Sequence, residues 1–366
     1  MRKIYTTEKY KRRNKTRAKN SLKRKLAFKE YLRQKNISEL GLSKIEVEHK
    51  RKFEDPYKDY IKIHAPAKLS FIENSSEVVK FIDKLKKHYD LKNKVFVVLE
   101  DVVEISYDAI VVLLSIMVKF KASKIKFNGD FPKNPDARKI LDESQFLKYL
   151  YQQFKDSDRY SLGQKSSIHT HAWKDVDSEL GSELIRNASK TIWGEERRCQ
   201  GVQRTLIELM LNTNNHADDS RKGEKHWWIS IHHDEKNQKV SFAFIDFGVG
   251  VFTSLDNKRS GSKFYGVLAK VKERYKYGNN AELLNLILDG TVHKTATNKP
   301  YHGKGLPGIN MALNRNQINN LNIITNNVHA NVSNSDFKMM PNSFSGTFVY
   351  WEVDNTNKNS HGITRN

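Results

Sequence analysis

The chain has 366 residues, enough for two domains, and carries 64 Lys and Arg against 42 Asp and Glu, a formal charge of +22. Its one cysteine, Cys199, excludes a disulfide framework and a thiolate zinc site and fits a reducing compartment. No apolar run reaches the ~20 residues that span a bilayer, and the first residues hold no apolar secretory core, so a cytoplasmic protein with no membrane span is expected.

The charge is concentrated at the start. Residues 1–35 hold fifteen Lys or Arg against two Glu, in runs such as Lys9-Tyr-Lys-Arg-Arg-Asn-Lys-Thr-Arg-Ala-Lys19. A segment this polar buries no core of its own, so a disordered or only partly helical arm is expected over residues 1–58. Its charge suits the phosphate backbone of nucleic acid. A solubilising arm and an arm for an anionic membrane surface compete with that reading.

Residues 59–152 read as a small α/β unit. Ser75–His88 is an amphipathic helix, with Val78, Val79, Phe81, Ile82 and Leu85 at helical spacing. Lys94–Leu99 is a buried strand, Tyr107–Phe120 a strongly apolar helix, and Ser123–Phe127 a second strand. This order suggests parallel strands joined by crossovers. The strand, the run Val-Glu-Ile105-Ser-Tyr-Asp108-Ala109-Ile110 and the Val/Leu helix resemble the STAS domain, the anti-sigma-factor-antagonist module. That family is phosphorylated on a helix-start Ser within an Asp-Ser-Ser-Gly run. Here the run is Ser106, Tyr107, Asp108 and Ala109, with Asp108 at the acceptor position. The resemblance therefore implies a docking or regulatory unit, and Asp108 also reads as a helix cap.

Residues 153–180 are polar and irregular and read as a linker. His169 and His171, with His232 and His233, have no Cys or paired carboxylate at the spacing a metal site needs. Trp227, Trp228, Ile229 and Ile231 belong to a strand and read as core.

Residues 181–354 carry four short motifs, followed by a polar tail at 355–366. The first is Glu208-Leu-Met-Leu-Asn212-Thr-Asn-Asn-His216-Ala217, on a helix whose buried stripe is Val202, Leu206, Leu209 and Met210. Glu208, Asn212 and His216 are four apart and lie along one face. A carboxylate and an amide one turn apart suit a hydrated Mg²⁺ and an attacking water. The second, Asp246-Phe-Gly248-Val-Gly250, ends the buried strand Val240–Ile245, and its glycines allow a tight turn. The third is Gly303-Lys-Gly305-Leu306-Pro-Gly308-Ile309, a glycine-rich loop entering a helix, whose backbone N–H groups suit phosphate. No Gly-Lys-Ser/Thr follows, so it is not a Walker loop. The fourth, Gly346-Thr347, opens the strand Phe348–Val353. Between the second and third lie an apolar helix at Ala281–Leu288 and the candidate phosphate contacts His293, Lys294 and Thr297.

In this order the four motifs resemble the nucleotide site of the GHKL ATPases, the superfamily of gyrase B, MutL, histidine kinases and anti-sigma-factor kinases. The resemblance covers residues 180–353, about half the chain. It implies an α/β sandwich with a mixed sheet covered by helices on one face, and ATP with Mg²⁺ as ligands. It places Asp246 on the adenine amino group, Gly248, Gly250 and Thr347 about the base, and Asn212 on the metal. Glu208 becomes the catalytic base and a metal-side ligand. Gly303, Gly305, Leu306 and Gly308 meet the phosphates, Lys304 either touches the γ-phosphate or points to water, and the segment before them forms a mobile lid. The expected function is a slow ATPase working as a conformational switch in a multi-protein regulatory or defence system. The alternatives are a serine/threonine kinase of the anti-sigma type acting on a STAS-like protein partner, and an ATP-gated nucleic-acid-binding factor. Some members of the superfamily form homodimers when ATP closes the lid.

Overall fold

The computed structural model describes residues 8–39, 56–151, 166–171, 176–216, 227–256, 270, 278–292 and 305–360. The chain divides into two compact units, Met1–Asp59 and Tyr60–Asn366.

In the first unit, Glu8–Glu39 form one continuous helix, α1. Charge density pointed to disorder or partial helix. The residues are mostly Lys, Arg, Ala, Leu and Gln, however, and no Gly or Pro interrupts them. Each of those side chains loses little freedom in a helix, and over 32 residues that propensity accumulates.

The second unit is mixed α/β and contains both parallel and antiparallel sheets. It begins with three short parallel strands, β1 (Ile61–His64), β3 (Val95–Val98) and β5 (Phe127–Gly129), in the order β1-β3-β5. A two-residue parallel ladder joins β2 (Lys68–Leu69) to β4 (Glu104–Ile105). Two helices make the crossovers, α2 (Ser75–Asp90) and α3 (Tyr107–Ala122). Every residue of α3 from Asp108 to Met117 is buried. A helix that is apolar on all sides needs cover on all sides. α4 (Pro135–Glu143) and α5 (Phe146–Tyr151) follow, and α5 packs on α3.

The remaining cover for α3 is a five-stranded sheet in the order β6-β7-β8-β10-β9. Its strands are β6 (Ser166–His171), β7 (Trp227–Asp234), β8 (Lys239–Asp246), β9 (Asn319–Asn331) and β10 (Asp336–Val353). Side chains alternate across it, as strand geometry requires. Trp227, Ile229, Phe242, Phe244, Val349 and Trp351 join the core beneath α6 (Ser178–Trp193) and α7 (Gln200–His216). Trp228, Ala243, Ile245, Ile324 and Phe348 join the core shared with α2 and α3. Phe71 is wedged there, edge-on to Phe344 at 5.3 Å and Phe348 at 4.7 Å. Tyr107 stacks on His232 at 3.9 Å, and Ser75 hydrogen-bonds His329 at 3.0 Å.

Two expectations are corrected. The large sheet is antiparallel in every pair among the described strands, not mixed, and both of its faces are covered. Tight connections dictate the pairing: β7 and β8 are joined by a turn at 235–238, and β9 and β10 by a short 3₁₀ turn at Val332–Asn334. Hairpins of this length join only antiparallel neighbours. The supposed linker at 153–180 also supplies the sheet edge, since Ser166–His171 pairs with β7. Its polar composition hid a strand that forms only by pairing. Among the described residues, no helix is long and apolar enough to cross a membrane.

Because Phe71 is fully buried between the two α/β segments, Phe71→Ala is expected to cost about 3–5 kcal/mol. Urea unfolding followed by tryptophan fluorescence, which reports the large sheet, checks this. The variant's transition should shift as a single step, because the two segments share one core.

Candidate functional site

The first half of the site is built on α7. Val202, Leu206, Leu209 and Met210 are buried in the core beneath the sheet. Thr205 and Thr213 satisfy their hydroxyls on the carbonyls of Gly201 and Leu209. That anchoring leaves Glu208 and Asn212, one turn apart, half-buried on the opposite flank. The Glu208 carboxylate accepts the backbone N–H of Gly305 at 2.7 Å. After α8 (Val251–Asp256) and α9 (Asn280–Leu288), Gly305 is the residue before helix α10 (Leu306–Asn314), and a Cβ on it would stand 3.6 Å from the Asn212 amide. Leu306, Gly308 and Ile309 are buried where α10 packs on α7. Motifs nearly a hundred residues apart thus meet: a carboxylate and an amide face the N-terminal end of a helix, where backbone N–H groups and the helix dipole favour anions. Gly303, Lys304, His293, Lys294 and Thr297 lie outside the described residues, as does the side chain of His216.

The second half lies at the end of β8. Asp246 follows Phe242 and Phe244 in the alternation and so faces the α7 side of the sheet, with Thr347 directly opposite it on β10. It is 9% exposed. Burial pushes its carboxyl up to about 6, against the opposing pull of the Gly248 and Thr347 N–H groups, the Thr347 hydroxyl and the Lys119 amine. The Gly248 N–H donates at 2.8 Å. Gly346 has φ +140°, and a Cβ there would collide with the Asp246 carbonyl oxygen. Gly250 has φ +79°, and a Cβ there would collide with the Asn326 amide.

Three residues that sequence reasoning missed hold this turn. The Thr325 hydroxyl accepts the Val251 N–H at 3.0 Å and donates to the Gly346 carbonyl at 3.0 Å. The Asn326 amide donates to the Val249 carbonyl at 3.0 Å and accepts the Phe252 N–H at 3.2 Å. Thr-Asn-Asn after the apolar pair Ile323-Ile324 was the available signal, since Asn tolerates the left-handed φ of +48° that Asn326 adopts. The third is Lys119 of α3, whose amine sits 4.4 Å over the Phe247 ring. Nothing local in the sequence marks it, because it belongs to the other α/β segment.

Asp108, at the acceptor position of the STAS resemblance, is 4% exposed. It takes the N–H groups of Ile72 at 3.0 Å and Ala109 at 2.7 Å and the Ser106 hydroxyl, and burial pushes it up to about 6. It is thus a buried acceptor inside α3's first turn, with Ser106 as the N-cap residue. His232 is stacked on Tyr107, and His233 hydrogen-bonds Thr191 at 2.8 Å, its imidazole pushed down to about 4 by burial. Among the described residues no cluster of three or more His, Cys, Asp or Glu is placed for a metal. Glu208 and Asn212 instead offer two hard oxygens, which fits a Mg²⁺ that draws its other ligands from phosphate and water.

No protein-family model matches the chain, and no curated protein matches it. The fold and site define an α/β protein with a polar site on the α6–α7 side of its five-stranded sheet.

Two outcomes are expected. Gly346→Ala should lower the melting temperature and loosen the end of the β8–β10 pair, seen as faster amide exchange at Gly248, because both the positive φ and the contact oppose a Cβ. The Asp246 carboxyl has a higher pKa folded than unfolded, so the folded state binds its proton more tightly and wild type gains stability as pH falls through about 6. Asp246→Asn has no such proton. The stability difference between wild type and variant, from urea unfolding at neutral and mildly acidic pH, should therefore move in favour of wild type on acidification.

Proposed function

We propose that the protein binds ATP with Mg²⁺ and hydrolyses it slowly, as a nucleotide-driven conformational switch within a multi-protein regulatory or defence system. The observation that carries this reading is the Glu208–Gly305 hydrogen bond, which joins the acidic helix motif to the glycine-rich loop. The GHKL resemblance requires that pair to share one site. The arrangement of α6 and α7 on one face of the sheet, with Asp246 and Thr347 on that same face, supports it further.

On this reading the ionised Asp246 accepts the adenine amino group, with Thr347 beside it and the turn of Gly248 and Gly250 leaving room for the base. Guanine presents a carbonyl where adenine presents its amino group, so the carboxylate selects against GTP. The α10 N-terminus, with Gly303, Lys304, Gly305, Leu306 and Gly308, receives the phosphates. Asn212 and Glu208 supply protein oxygens to Mg²⁺, which neutralises phosphate charge when bound. Glu208 then orients and deprotonates the attacking water. Its carboxylate already occupies the Gly305 N–H. A phosphate arriving at this helix start competes for that donor and releases the carboxylate toward the water.

Calorimetry with ATP and GTP in the presence of Mg²⁺ tests the site. Wild type should bind ATP selectively, and Asp246→Asn should lose that binding. Glu208→Gln should retain ATP while phosphate release falls by about 10²–10⁴-fold. Absence of ATP binding by wild type, or equal binding of GTP, overturns the reading. Transfer of labelled γ-phosphate to a protein partner, without free phosphate, would replace the ATPase by a kinase.

A further inference from the structure

The helix α1 is a unit that the nucleotide reading leaves unused. Between Lys9 and Lys25 it holds ten Lys or Arg and no Asp or Glu. Arg12, Lys15, Arg17, Lys19, Arg24 and Lys25 are all exposed. At 3.6 residues per turn they fall in every quadrant of the helix. Like charges three and four apart, such as Arg12 with Lys15 and Lys15 with Lys19, repel and weaken a free helix. Neutralisation by a polyanion relieves that repulsion.

The helical form also separates the candidate partners that composition leaves open. A membrane-surface helix needs its apolar residues gathered on one face. From Arg12 to Ser21 the only apolar residue is Ala18. Further on, the exposed pairs Leu22–Leu26 and Phe28–Leu32 are split by the positions of Lys25 and Lys29. A solubilising surface mixes both signs of charge, which this stretch does not. Cations around the full circumference suit a helix flanked by phosphates on both sides. The B-DNA major groove, about 12 Å wide, admits a helix of about 10–12 Å and lines it with a phosphate wall on each flank. The A-form RNA major groove is too deep and narrow for this.

We propose that α1 binds double-stranded DNA, lying in the major groove and held by its basic side chains on the two phosphate walls, without base specificity. The inference is independent of the nucleotide site.

The test is fluorescence anisotropy on the full chain with a labelled DNA duplex of roughly 20 base pairs, across a salt series. The expected result is binding that weakens steeply with salt. Replacing Arg12, Lys15, Arg17 and Lys19 together by Glu should weaken it by more than about 100-fold at low salt and flatten the salt slope by about one per residue replaced. The same four positions changed to Gln, which keeps helix propensity without reversing charge, should give a smaller loss in the same direction, with circular dichroism unchanged. Unchanged affinity in both variants overturns the proposal. So does tighter binding to an RNA duplex, or to phosphatidylserine vesicles, than to the DNA, and so does the absence of any DNA binding at low salt.

Discussion

The structure depends on the burial of one helix, α3. It is apolar on all sides, and such a helix is stable only when each flank is covered. α2, α5 and the short parallel strands supply part of that cover, and β7 and β8 of the large sheet cover another flank. The two α/β segments therefore share a core in which Phe71, Phe344 and Phe348 meet edge to face. Neither segment could leave without exposing that cluster.

The same packing reaches the candidate site. Lys119, in the last turn of α3, lies over Phe247, the residue after Asp246, and its charge helps keep the Asp246 carboxyl ionisable. Asp246 is costly to bury, and the N–H groups of Gly248 and Thr347 offset part of that cost. Glu208 likewise takes a backbone donor, the Gly305 N–H, at the α10 start. In both places a carboxylate occupies the backbone donors of a glycine-containing turn. The site is organised by backbone geometry as much as by side-chain chemistry, which is why glycines recur in its motifs.

What was legible in the sequence were features set by local periodicity. The spans of α2, α3, α7 and β8, and the buried stripes of α2 and α7, follow from the 3.6- and 2-residue patterns. Hidden were features set by distant partners. Ser166–His171 is too polar to announce a strand and becomes one by pairing with Trp227–His232. The direction of the large sheet depends on which strands are joined by hairpins, a question of register that composition does not reach. Of the candidate site, the motif residues stand out in the sequence, Thr325 and Asn326 carry only the local signal of Thr-Asn-Asn, and Lys119 carries none, because its place over Phe247 exists only in three dimensions. In α1 the summed helix propensity of its residues decides the conformation, which charge alone leaves open.

Asp108 shows how the packing constrains regulation. It sits at the position where the STAS resemblance puts a phosphoacceptor, yet it is 4% exposed and its oxygens take the N–H groups of Ile72 and Ala109. Modifying it would require lifting the start of α3 from the turn at Ile72 and breaking those bonds in a buried setting. Adding a doubly charged group there would compound the burial penalty that already pushes the carboxyl up to about 6. A covalent signal at this residue is therefore opposed by the fold itself. Any influence of the N-terminal segment on the Asp246 turn has a shorter route through packing, since a small shift of α3 moves Lys119 relative to Phe247. The segment is a layer of the same compact unit as the Asp246 turn, packed against it through α3.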